Sequence, residues 1–220
     1  MDTWNSNFTL TCIGAFVGAA AAFGMQVVEN IRERNEADHL AGVKAQMALI
    51  GMINHLRNLD RDHLAPLKTL PPEDRSQMLK HIGEIDPAQG INFESLGFLF
   101  KKVKDPRLLQ RLHLGQRNYQ GACAAFSVRN AYYLGVIGKA EVANFDVSQL
   151  TTGEFNLVLK PLDHYMLGQF TDAIFGSVAP TEKELTQLYK EFYVALRKVF
   201  PAHDLIRIDK WPPDLRRPVV

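Results

Sequence analysis

The chain has 220 residues, 46% of them hydrophobic, which is enough to bury a core without disulfide or metal staples. Its formal net charge of +1 gives no electrostatic reason to expect a nucleic-acid partner. The two cysteines, Cys12 and Cys123, fall in an apolar amino-terminal stretch and in an expected helix, so they read as small buried hydrophobes of a reducing compartment.

Phe8 to Val28 runs 21 residues without a charge, the length a helix needs to cross a hydrocarbon core of about 30 Å. A helix satisfies its own backbone, as lipid demands. Thr9, Thr11 and Gln26 lie near the ends of the stretch, and Trp4 and Phe8 suit one interface. A cleaved signal peptide would open on basic residues, whereas MDTWNSN has none and carries Asp2. A helix buried in a water-soluble core would show more of a polar stripe. The expectation is therefore a transmembrane helix.

All 25 lysines and arginines lie after Val28, beginning with Arg32 and Arg34. Basic residues stay on the cytoplasmic side, which puts the amino terminus outside and the body in the cytoplasm. Gly14 and Gly18 form a G-x-x-x-G, and Ala22 continues the row one turn on. Small residues at that spacing let two helices approach in lipid, so a second copy is a candidate partner along this row or along the long first helix.

In the body, Glu29 to Leu64 reads as one long helix that begins charged and turns apolar, ended by Pro66. Pro71-Pro72 opens a short helix that Gly83 closes. Asn92 caps a helix over Phe93 to Val103, and Asp105-Pro106 starts one that runs to about Lys139. Thr151 or Thr152 begins the next, with a kink expected at Pro161 and an end at Gly176 and Pro180. Thr181 to Glu184 then has the form of a capping box for a last helix that Pro201 stops. Residues 201–220 read as an extended, Pro-rich, partly disordered tail. The expected organisation is a membrane segment over 1–28, an all-α bundle of about four main helices over 29–200, and the tail.

Chemistry-bearing residues are sparse. His55, Asp62 and His63 share one helix, and Asp163-His164 lies on another. Together His55, Asp62, His63 and His164 could serve a metal-dependent hydrolase, but the paired Glu-x-x-His pattern of a bundle metal site occurs once, at Glu36 and His39. The bland alternative is a solvated helix face. No phosphate-binding loop, G-x-S-x-G, C-x-x-C or H-E-x-x-H occurs, so neither a catalytic residue nor a cofactor is assigned. Asn130 falls at core spacing between Phe126 and Tyr133, with Arg129 before it, and is expected in a polar network that fixes helix register. Lys101, Lys102, Lys104 and Arg107 form a basic cluster suited to helix C-termini or to anionic headgroups.

The order of these features, with FESLGFLFKKVKDPRLLQRL in the middle and ALRKVFPAHDLIRID near the end, resembles an uncharacterised family of membrane-anchored helical proteins from proteobacteria. The resemblance implies a bacterial inner-membrane setting and transfers no activity and no functional residue. The expected function is a membrane-tethered interaction or scaffold protein that contacts membrane lipid and a protein partner. The alternatives are a membrane-perturbing stress or defence effector and the hydrolase.

Overall fold

A computed structural model describes residues 2–79, 81–83, 85, 87–144 and 160–207, the side chains of 2–14 and 137–144 excepted. The chain is all-α: no strand occurs among the described residues, and long helices pack as a bundle. Helix α1 (Asp2–Leu59) is continuous and about 87 Å long at 1.5 Å per residue. A π-helical turn (Asp60–Leu64) and a 3₁₀ turn (Ala65–Leu67) end it at the Pro66 signal. The short α2 (Pro72–Met78) starts on its proline. Helix α3 (Pro106–Asn144) starts where Asp105 Oδ1 accepts the backbone N–H of Arg107 at 3.0 Å.

Helix α4 (Pro161–Val199) corrects the expected bundle. The two helices foreseen on either side of Pro180 are one. Pro161 opens this helix at its first turn, where a proline fits, and does not kink it. The expected start at Thr151 or Thr152 lies outside the described residues. Pro180 sits inside α4 without ending it. A mid-helix proline loses one hydrogen bond and presses on the carbonyl four residues back, at a cost of about 3 kcal/mol. Here that carbonyl belongs to Gly176, which has the most backbone latitude. The buried residues Leu167, Thr171, Ile174, Val178, Thr181, Leu185, Leu188, Phe192 and Leu196 run through the site at helical spacing. The burial of that unbroken stripe outweighs a local break. Thr181 is therefore a buried stripe residue and not a helix cap, and Glu182 and Glu184 bond to Arg57 and Asn118 on neighbouring helices.

A second correction concerns Phe93 to Val103. It forms a 3₁₀ turn (Glu94–Leu96) and a π-helical turn (Leu99–Val103), with Asn92 Oδ1 accepting the Glu94 N–H at 3.1 Å. Lys104, at φ 56°, closes the second turn in the left-handed region.

α4 is the centre of the body. It packs antiparallel to α1 on one side and to α3 on the other, while α1 and α3 touch each other little. The described residues between Leu79 and Val103 fill the space between them, with Leu79, Ile91, Leu96, Phe98 and Leu99 buried in the common core. The axes approach closely where glycines allow it. A Cβ on Gly42 of α1 would meet Leu196, and one on Gly115 of α3 would come within 3.0 Å of Leu188 and 3.1 Å of Leu185. Gly115→Val is accordingly expected to overpack this contact and cost about 1–3 kcal/mol, read as a lower urea midpoint with an unchanged slope. After α4, residues 201–207 return along α1: Ile206 O accepts from Gln46 Nε2 at 3.3 Å and from the Tyr189 hydroxyl. The rest of the expected tail lies outside the described residues.

The expected transmembrane helix finds no support in this fold. Among the described residues, no helix is long and apolar enough to cross a membrane. The expected span is rich in Ala and Gly, and charged residues begin at Glu29. The side chains of Phe8 to Gly14, one-third of that span, lie outside the described residues.

Candidate functional site

Two features stand out from the packed body. The first is the amino-terminal part of α1. From Ala15 to Ala37 every residue is exposed, because the bundle begins only near Asp38. Phe16, Phe23 and Met25 are 77%, 68% and 74% exposed, and Val17, Val28 and Ile31 are also uncovered. Large side chains of this kind are seldom left in a continuous uncovered run without a surface to meet. Gly18 has open space around it and Ala22 is exposed, so this part of the expected small-residue row is accessible.

The second is a set of polar side chains on α3 that hold the backbone at Ser76, Leu79, Ile82, Ala88 and Ile91. Gln116 Oε1 accepts the Ile91 N–H and the Tyr119 hydroxyl accepts the Ala88 N–H, each at 2.6 Å. Asn130, expected in a core network, is buried and donates through Nδ2 to Ile82 O. Arg129 is fully buried. It donates to Ser76 O at 3.0 Å, to Leu79 O, and through Nε to Thr171 Oγ1 at 3.2 Å. Its guanidinium lies 5.1 Å from the centroid of the Tyr133 ring. Ser76 and Leu79 stand at the carboxyl end of α2, where the helix dipole favours a cation. No carboxylate pairs with Arg129 among the described residues. Burial brings its pKa down from the usual guanidinium range to about 10, so it stays charged at neutral pH.

Tyr119 joins α3 to α1. Having accepted from Ala88, its hydroxyl is free to donate to His55 Nδ1, 2.6 Å away, which places the imidazole proton on Nε2. Burial raises the Tyr119 and Cys123 pKa values, so phenol and thiol both stay protonated and Cys123 is a poor nucleophile. Burial lowers the His55 pKa below its ordinary 6.5. The folded state thus holds His55 neutral where the unfolded chain already binds a proton. Its contribution to stability is complete above pH 6.5 and declines as pH falls toward the lowered folded value. His55→Asn, which keeps an acceptor near the Nδ1 position, is expected to flatten the loss of urea resistance between about pH 7 and 5. An unchanged pH profile would contradict this account.

The residues weighed for metal chemistry are not gathered. His55 faces Tyr119, Asp62 pairs with Arg61 at 2.7 Å, Asp163 accepts from the Tyr132 hydroxyl at 2.7 Å, and His164 Nδ1 lies 3.4 Å from Gln77 Nε2. Among the described residues no three His, Cys, Asp or Glu side chains could hold one ion. Arg57 of α1 instead reaches Glu182 at 2.8 Å and ties α1 to α4.

No protein-family model, curated protein or solved structure matches the chain. The candidate site therefore rests on its own geometry. In the sequence Arg129 stands out only as the neighbour of Asn130, although Phe126, Arg129, Asn130 and Tyr133 repeat at i, i+3, i+4 and i+7. That spacing already put the arginine on the core-facing side.

Proposed function

We propose that this protein is a single-pass membrane tether whose helical body, held on the cytoplasmic side, acts as an interaction platform. The observation that carries the reading is the uncovered, uncharged run from Phe16 to Val28 on α1. It continues the uncharged stretch that begins at Phe8, and a bilayer is the surface that would cover such a rod on all sides. α1 passes without a break from this run into the core at Ala45 to Leu59, so a body attached to it would be held close to the membrane by a stiff connection. Tethering raises the local concentration of any membrane-bound partner without new contacts. The absence of Lys and Arg before Val28, and their presence after it, supports the inward orientation.

The test is alkaline carbonate extraction of membranes from cells making the full chain, followed by pull-down from detergent. Retention in the pellet, with a co-purifying protein or a second copy of the chain, is the expected result. Release of the chain into the supernatant would remove the tether, and a lone monomer in detergent would remove the platform.

A further inference from the structure

We infer that the end of the body nearest the exposed part of α1 is a docking surface for anionic phospholipid headgroups. This rests on the tether reading and adds to it a specific lipid chemistry. Six basic residues from three elements gather there: Lys101, Lys102, Lys104, Arg107, Arg197 and Lys198, all exposed. Lys102 fixes their position. Its Nζ lies 2.7 Å from Asn35 Oδ1 and 2.9 Å from Asp38 Oδ2, both on α1 where the body begins. Helix α4 runs antiparallel to α1, which brings its last turn, with Arg197 and Lys198, to the same end: Leu196 abuts Gly42, and the Phe200 and His39 rings lie 5.4 Å apart.

The distances suit the assignment. Asn35 and Asp38 stand roughly 10 and 15 Å along the helix from Val28. The headgroup layer extends about 5–8 Å beyond the hydrocarbon. Lys102 thus lies within about one Debye length of the lipid charges, close enough to be attracted by them. Glu29, Glu33, Glu36, Asp38, Asp105 and Asp204 oppose them, but Glu36 is paired with Arg32 and Asp38 with Lys102. With Arg32 and Arg34 counted, the end remains net positive.

Two of the six cations have no explanation in helix stability. Arg107 lies in the first turn of α3, where the dipole disfavours a positive charge. Lys104 holds a left-handed conformation at φ 56°, where glycine would be unstrained. A lysine at a position that favours glycine is consistent with a role for its charge.

The test places the full chain in lipid nanodiscs of neutral phosphatidylcholine, or of the same lipid with phosphatidylglycerol, and follows lysine acylation by mass spectrometry. Lys101, Lys104 and Lys198 are expected to react about threefold or more slowly in the anionic discs, with the difference erased at high salt. K101Q/K104G alters two exposed positions and relieves the strained one. It is expected to remove most of the protection of Lys198. Equal rates in the two kinds of disc would overturn the docking surface and leave the tether standing. Protection already present in neutral discs would assign the face to protein and not to lipid. Failure of the chain to enter discs at all would overturn both readings.

Discussion

Arg129→Ala is expected to cost the body about 3–5 kcal/mol, because it strands three buried acceptors and opens a cavity. Ser76 O and Leu79 O lose the donor that closes the end of α2, and Thr171 loses its link to α3. Each unpaired buried group costs roughly 1–3 kcal/mol. An opposing term is the desolvation that lowers the arginine's own pKa to about 10, a cost that the substitution relieves. Arg129→Met separates the terms, since it retains the volume and removes the donors. Its expected loss is about 1–3 kcal/mol, smaller than that of alanine. Urea unfolding of the full chain in detergent gives both values. A methionine variant at least as stable as the parent would mean that Ser76 and Leu79 are held by packing alone.

Placing two arginines in the exposed rod, Ala19→Arg with Ala22→Arg, is expected to abolish membrane retention. Each costs about 2.5–3.5 kcal/mol near the centre of a span, so the pair opposes insertion by roughly 5–7 kcal/mol, or about four to five orders of magnitude in the equilibrium constant. Both positions are exposed and lie outside the packed core. Unfolding of the body should therefore be unchanged while the chain leaves the carbonate pellet. Retention of the doubly charged chain would point to an attachment that does not use this segment.

The parts of the fold legible in the sequence were those set by neighbouring residues. Asp105-Pro106 announced α3 because a carboxylate capping its own helix needs nothing from elsewhere in the chain. Pro72 and Asn92 acted locally in the same way. Pro180 does not end its helix because its local tendency is overruled by a stripe from Leu167 to Leu196 packed against three other helices. The candidate site divides similarly. The apolar run near the amino end is visible as a run. Tyr119 meets His55 across 64 residues, and no spacing rule connects them. Arg129 holds Ser76 and Leu79 through backbone atoms, which carry no side-chain signature at all.

The central place of α4 has a consequence during synthesis. The core face of α1, with Leu49, Ile53 and Leu56, leaves the ribosome long before the residues that cover it, and Arg57 must wait 125 residues for Glu182. At about 5–20 residues per second, this leaves the α4-facing side of α1 uncovered for roughly 6–25 s. The nascent chain must be shielded over that interval, and truncation before Leu185 would deliver an aggregation-prone fragment.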